Sequence, residues 1–171
     1  MIETGSPAPF FTLPDLDGYL HSLADYRGAL VLVNFWSAEC PYAERTDREL
    51  SVYLQDWVDR LVVLPIASNL NEPLAMLREV AAQRAIPLVL RDADHQVADL
   101  YGAQTTPHCF LIDEEGVLRY QGAFDDVTFR QRTPQRLYLK SAVEALMHGE
   151  SPNPAQTAPY GCSIVRFLPQ S

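Results

Sequence analysis

The three cysteines of this 171-residue chain, Cys40, Cys109 and Cys162, are the residues with the clearest potential for chemistry. Cys40 is followed by Pro41, and proline is favoured at the first position of a helix because its missing N–H would have no partner there. This spacing predicts that Cys40 is the N-cap of a helix. The free N–H groups and the positive end of the helix dipole stabilise an anion there, so we expect a thiolate, the nucleophilic form of cysteine.

Two charged neighbours act on Cys40 in opposite directions. The carboxylate of Glu39 disfavours a second negative charge beside it, whereas Arg45 favours the thiolate if its side chain folds back. The alternative interpretation is that Cys40 is a small buried hydrophobe, the commonest environment of a free cysteine. A position at a helix start, directly after a buried strand, favours the reactive interpretation.

Strands and helices alternate along the chain. The run from Leu30 to Trp36 is continuously apolar apart from Asn34, which is typical of a strand buried on both faces. Further apolar patterns predict strands at 61–66 and 87–90, an N-terminal hairpin turned at Asp17–Gly18, and a hairpin of 109–112 with 117–122. Four helices are predicted: one after Cys40, one capped by Asn71, one capped by Asp94 and ending before Gly102, and one running from Thr133 and Pro134 to Gly149. This order implies an α/β sandwich around a mixed sheet with helices on both faces.

The chain divides into a domain over 1–149 and a proline-rich C-terminal tail over 150–171 that carries Cys162. Pro152, Pro154 and Pro159 stand in a polar context in this tail and predict an extended segment rather than another packed element.

Composition limits the partners and the location. The 13 Lys and Arg against 22 Asp and Glu give a net charge of -9, which repels nucleic acid and anionic membranes. Residues 1–10 have neither the cationic nor the apolar region of a secretory signal, and no apolar run approaches the roughly 20 residues of a membrane helix. We therefore expect a cytoplasmic protein, where three scattered cysteines are not structural disulfides.

Several segments resemble the peroxiredoxin-like branch of the thioredoxin superfamily, the alkyl hydroperoxide reductase and thiol-specific antioxidant type. The similar segments are Phe11–Asp15, Leu23–Gly28, Asn34–Tyr42, Thr106–Asp113 with Glu115–Gly116, and a C-terminal Gly-Cys-Ser-Ile at 161–164 that marks a subgroup also having Cys-Pro-Tyr. The resemblance implies a thioredoxin-like fold with an added N-terminal hairpin. It also implies a thiol-dependent oxidoreductase in which Cys40 reacts with a peroxide or a disulfide.

The resemblance also implies roles for residues around Cys40. Thr106–Pro107 is expected to be a cis peptide that faces Cys40 and presents backbone groups to an extended substrate, with His108 and Tyr42 nearby. Ser37 stands where peroxiredoxins have Thr and supplies a hydroxyl. Two departures matter: Ala43 replaces the second cysteine of a Cys-X-X-Cys pair, and Pro107 stands where peroxiredoxins have Arg, so Arg45 is the candidate substitute.

The remaining candidates each have two interpretations. Cys162 either resolves oxidised Cys40 from a mobile tail, as a resolving thiol must be able to do, or is packed beneath a docked tail. Cys109 is a buried core thiol or a partner of Cys40, with the core favoured. His108 is a base or an ion-pair partner for the thiolate, or an ordinary loop residue.

No metal or organic cofactor is expected, because the histidines and cysteines lack ligand spacing. The expected partners are a thioredoxin-, glutaredoxin- or glutathione-type reductant and a peroxide or protein disulfide. Trp36, Tyr42 and Phe124 form an apolar rim around the site, a homodimer surface, or ordinary core, with core favoured. The rival function is a non-catalytic binding or redox-sensing module that recognises an extended peptide near Pro107.

Overall fold

A five-stranded mixed sheet forms the centre of the computed structural model, which describes residues 2–170. Its strands are β3 (Leu30–Trp36), β4 (Leu61–Ala67), β5 (Leu90–Arg91), β7 (His108–Ile112) and β8 (Leu118–Gly122), in the order β5-β4-β3-β7-β8. Strands β3, β4 and β5 run parallel, whereas β7 and β8 are antiparallel to their neighbours. The predicted mixed α/β sheet is therefore confirmed.

Side chains of β3 alternate between two packed layers, because successive residues of a strand point to opposite faces. Leu30 and Leu32 pack with α1 (Pro41–Trp57) and α4 (Tyr138–Met147), whereas Val31, Val33 and Phe35 pack with α3 (Gln96–Tyr101). A third cluster joins α1 to α2 (Leu74–Gln83) around Trp36, beyond the ends of the parallel strands. All seven residues of β3 are buried, which explains its continuous apolar pattern.

Two further strand pairs flank the central sheet. The predicted N-terminal hairpin is formed by β1 (Thr12–Pro14) and β2 (Leu20–Ser22), and a short 3-10 helix follows over Leu23–Tyr26. The second pair joins β6 (Thr105–Thr106) to β9 (Cys162–Ser163) in the C-terminal tail. The prediction that the tail does not pack was therefore wrong, although the tail is extended.

Three predicted helix starts are corrected by the structure. The caps of α2, α3 and α4 are Pro73, His95 and Leu137, where the sequence suggested Asn71, Asp94 and Thr133. At α3, the carboxylate of Asp92 accepts the first free N–H groups, that of Val97 at 3.1 Å and that of Ala98 at 2.9 Å. At α4, the carboxylate of Asp126 accepts the N–H of Gln135 at 2.9 Å and holds residues 133–136 in a loop.

The strand expected at 87–90 is also shorter than predicted, since β5 covers Leu90 and Arg91 alone. Within residues 2–170, the helices are all too short or too polar to cross a membrane.

Candidate active site

Cys40 lies at the N-cap of α1, as predicted, directly after the loop that leaves β3. Its side chain is 3% exposed, and its Sγ donates a hydrogen bond to the carbonyl of Thr106 at 3.0 Å. The hydroxyl oxygen of Ser37 accepts the N–H of Cys40 at 3.1 Å and that of Glu39 at 3.2 Å. Ser37 thus fixes the turn that leads into the helix.

Glu72 holds the Cys40 loop from one side, a role that sequence reasoning missed. Its buried carboxylate accepts hydrogen bonds from the Ser37 hydroxyl, from the N–H of Ala38 at 2.8 Å and from the side-chain amide of Asn69 at 2.9 Å. In the sequence Glu72 looks like an ordinary first-turn acid of the next helix. Because that helix begins two residues later, the carboxylate is free to turn inward.

Arg84 holds the same loop from the other side. Its guanidinium donates to the carbonyls of Ser37 at 3.3 Å and Ala38 at 2.7 Å, and it forms an ion pair with Asp47 at 3.0 Å. Asp47 also accepts the indole N–H of Trp36 at 2.8 Å, and burial raises the pKa of its carboxyl against these contacts. The backbone N–H and C=O groups just before Cys40 are therefore bound by charged side chains on both sides.

The peptide bond between Thr106 and Pro107 is cis, as the resemblance implied. The bond follows the short strand β6, so the Thr106 carbonyl meets the sulfur of Cys40. The hydroxyl of Thr106 is buried and has no hydrogen-bond partner in the part of the chain that the structure describes.

Cys162 lies beside Cys40, because β9 pairs antiparallel with β6 and places Cys162 opposite Thr106. Both cysteines pack in the cluster around Trp36 and are free thiols. Burial, followed by the hydrogen bond and charge of Cys40 and the charge of Glu72, raises the pKa of Cys162 to about 12. Cys162 is therefore protonated at ordinary pH.

Gly161 makes this close approach possible. A Cβ at this position would lie 2.1 Å from the Thr106 carbonyl oxygen and 3.1 Å from the ring of Pro107. Real Cβ atoms do not come so near to a carbonyl, so the tail can lie against the cis-proline loop only with glycine here.

Arg45 does not contact Cys40. Its guanidinium forms a two-point ion pair with the buried Asp125, at 3.2 and 2.6 Å. The pair lines a small pocket beside Pro107 together with Tyr42 and Tyr160, whose rings pack edge to face at 5.1 Å. Arg45 and Tyr42 therefore surround the cis-proline loop, but the Arg45 charge is already matched by a carboxylate.

His108 faces the opposite side of the sheet from α1. Its ring stacks on Phe110 at 4.5 Å, and its Nδ1 accepts the N–H of Gln104 at 3.1 Å. Burial lowers the pKa of His108 to about 4. The lowered pKa argues against the cationic ion-pair partner for His108, which lies in β7 and not in a loop.

Cys109 is a fully buried core residue, as the sequence favoured. It lies opposite Asn34 in β3, and burial raises the pKa of its thiol. Trp36 and Phe124 are buried as well, so they are core residues and not a homodimer surface. Among residues 2–170, no group of three His, Cys, Asp or Glu side chains is arranged to hold a metal ion.

Comparison with known proteins identifies the family. Residues 4–121 match the model of the AhpC/TSA family. This chain belongs to the AhpC/TSA family. It is 35% identical over 124 residues to the thiol-disulfide oxidoreductase ResA of Geobacillus thermodenitrificans, and the matched region covers 69% of this chain and 68% of the relative. It is 36% identical over 127 residues to the Rv2521 protein of Mycobacterium tuberculosis, which is provisionally named a peroxiredoxin, covering 73% and 80%.

Solved structures confirm the thioredoxin-like fold over nearly the whole length of this AhpC/TSA protein. A hypothetical protein of Sinorhizobium meliloti superposes with a TM-score of 0.87 at 31% identity, covering 98% of this chain and 96% of that one. An uncharacterised protein of Geobacillus kaustophilus gives 0.88 at 26% identity, covering 100% and 95%. Family membership and these relatives make the chain an enzyme of the thiol oxidoreductase class, which uses a thiol reductant and a disulfide or peroxide substrate.

Proposed function

We propose that this protein is a thiol oxidoreductase whose redox couple consists of Cys40 and Cys162. The pairing of β9 with β6 carries this proposal, because it places Cys162 opposite the residue whose carbonyl accepts the hydrogen bond of Cys40. The missing Cys-X-X-Cys partner is thus supplied from the far end of the chain. The proposed chemistry calls for a thiolate, an oxidant and a reductant, and for no metal or organic cofactor.

In the first step the Cys40 thiolate attacks the electrophilic atom of the oxidant. A hydroperoxide ROOH leaves a sulfenic acid on Cys40 and releases ROH after protonation, whereas a disulfide RSSR leaves a mixed disulfide and releases RSH. Cys162 then attacks the Cys40 sulfur, losing its proton and expelling water or the second RSH. An external reductant supplies two thiols, returns two electrons and restores both cysteines.

The raised pKa of Cys162 fits the second role in this sequence. A protonated Cys162 does not compete with Cys40 for the oxidant, because the thiolate is the nucleophile. Oxidation of Cys40 removes its contribution to the raised pKa of Cys162, whereas burial, the largest cause, stays in place. The pKa of Cys162 should therefore fall when Cys40 is oxidised.

Mapping of disulfides after oxidation tests the couple. We expect one equivalent of hydrogen peroxide or of a small disulfide, followed by alkylation and peptide mass mapping, to yield a Cys40–Cys162 disulfide. Cys162→Ser should accumulate a sulfenic acid or mixed disulfide on Cys40, whereas the matched control Cys109→Ala should behave as the wild type. A link from Cys40 to Cys109, or the absence of any link, would contradict the proposal.

A further inference from the structure

The edge of β6 is already paired with the chain's own tail. An exposed strand edge pairs with an extended peptide through main-chain hydrogen bonds, and this is a common way to bind polypeptides. Here Thr105 lies opposite Ser163 and Thr106 opposite Cys162, so the edge next to Cys40 is occupied. The rival peptide-binding function would need the same edge.

The segment 161–166, called here the docked tail, is held along its whole length. The N–H of Ile164 donates to the Gln104 carbonyl at 3.0 Å, and that of Val165 donates to the side chain of Asn69 at 2.7 Å. Arg166 donates to Asp99 at 2.7 Å and to the Ala103 carbonyl at 2.6 Å. Ile164 is itself buried in the core, so the docked tail is an integral part of the fold.

A polypeptide disulfide has no room to replace the docked tail while it is in place. To react, its sulfur must reach Cys40, which is 3% exposed. A polypeptide that paired with the β6 edge would place its backbone beside the Thr106 carbonyl, the group that accepts the hydrogen bond of Cys40. That backbone position is filled by Gly161 and Cys162, at a spacing that excludes even one extra methyl group. A compact disulfide without a flanking backbone does not need this space.

Resting on the Cys40–Cys162 couple, we propose that the docked tail is a specificity element that stands in the place of a polypeptide substrate and restricts Cys40 to compact oxidants. With a compact disulfide RSSR, the Cys40 thiolate displaces RS⁻ and forms Cys40–S–S–R. Cys162 then loses its proton, attacks the Cys40 sulfur and displaces the second RS⁻, so the two thiols of the protein are oxidised and RSSR is reduced to two RSH. Polypeptide disulfides react only in the fraction of molecules whose tail has left the β6 edge.

Two oxidants of the same chemistry and different size test this proposal. We compare dithiodiethanol with a disulfide-linked pair of ten-residue peptides, measure the rate constant for loss of the free Cys40 thiol with each, and map the Cys40–Cys162 disulfide at the end of the reaction. We expect the peptide to react at least about a hundredfold more slowly with the wild type, because the reactive fraction is set by tail release.

Two variants weaken the docked tail by independent means. Gly161→Ala pushes the tail from the Thr106 carbonyl, and Arg166→Ala removes the contacts to Asp99 and Ala103. In both we expect the ratio of the peptide rate to the dithiodiethanol rate to rise about tenfold, since loss of one or two such hydrogen bonds favours release by about that factor. Arg132→Ala, at an exposed arginine outside the tail, is the matched control and should leave the ratio as in the wild type.

Equal rates for the two oxidants in the wild type, or a ratio that neither variant moves, would overturn the role of the docked tail while leaving the redox couple intact. If neither oxidant produces the Cys40–Cys162 disulfide, the couple itself fails and this proposal fails with it. Circular dichroism of each variant shows whether it is folded, and Arg166→Ala keeps the test valid if Gly161→Ala does not fold.

Discussion

Replacing Glu72 with glutamine should destabilise the protein and loosen the loop that carries Cys40. The carboxylate receives hydrogen bonds from Ser37, Ala38 and Asn69, all of which are donors. A glutamine side chain keeps one accepting oxygen and replaces the other with an NH₂ group. In the less costly orientation this NH₂ faces the N–H of Ala38, and a buried donor is left without an acceptor.

The size of the effect follows from these contacts. A buried unsatisfied donor costs about 1–3 kcal/mol, and hydrogen bonds to a charged group exceed neutral ones by about 1 kcal/mol each. Glu72→Gln should therefore lower the free energy of unfolding by about 3–5 kcal/mol, a large part of the roughly 5–15 kcal/mol typical of a domain. It should also lower the pKa of Cys162, because the charge of Glu72 is one of the causes that raise it.

Urea unfolding of Glu72→Gln measures the loss of stability. Glu79→Gln is the matched control, because Glu79 lies exposed on α2, the helix that follows Glu72. The pH dependence of Cys162 alkylation in a Cys40→Ser background measures the pKa of Cys162. An unfolding free energy within about 1 kcal/mol of the wild type, with the control equally stable, would refute the argument that these hydrogen bonds hold the loop.

Three further predictions concern charged and titratable groups. Arg45→Met should cost about 3 kcal/mol of stability, because it leaves the buried Asp125 without its cation, yet the alkylation rate of Cys40 should change little. Arg48→Met, which breaks an exposed ion pair, is the control. A large loss of Cys40 reactivity in Arg45→Met would contradict this structural role of Arg45. Burial lowers the pKa of His108 from its ordinary 6.5 to about 4, so the unfolded chain binds this proton more readily, and stability should fall by up to about 3 kcal/mol as the pH drops from 6.5 to 4. His108→Gln should lose that slope in urea titrations at each pH, whereas the exposed His148→Gln should keep it. Asp92→Asn should destabilise the protein by about 2 kcal/mol, because the amide cannot accept all three hydrogen bonds from Ser68, Val97 and Ala98. Asp94→Asn should leave stability unchanged. Equal effects of the two variants in thermal unfolding would restore Asp94 as the cap of α3.

Local physical rules account for what was predictable about the elements. Pro41 after Cys40 and the apolar run before it place the helix start and the central strand, because both signals act over neighbouring residues. At the three wrong helix starts, Asn71, Asp94 and Thr133, a nearby carboxylate makes contacts that capping propensity does not show. Glu72 binds the distant N–H of Ala38, Asp92 binds the N–H of Val97, and Asp126 binds the N–H of Gln135.

The residues around Cys40 likewise divide into those near it in the sequence and those brought to it by folding. Ser37 lies three residues before Cys40, where the resemblance placed a hydroxyl, and its oxygen accepts the backbone N–H of Cys40. Glu72 and Arg84 lie more than 30 residues away and contact the loop only because β4 and α2 pack against it. No sequence signal distinguishes them from the other charged residues of their segments.

The sequence by itself determined that one sulfur sits at a helix start, where the backbone N–H groups favour its thiolate, because that effect is local. It also identified a second cysteine on an extended tail, but it left open whether this tail reaches the first. Only the tertiary structure decided that question. The β6–β9 pairing joins positions 106 and 162, and Gly161 lets the two backbones approach, so a contact between distant parts of the chain brings Cys162 next to Cys40.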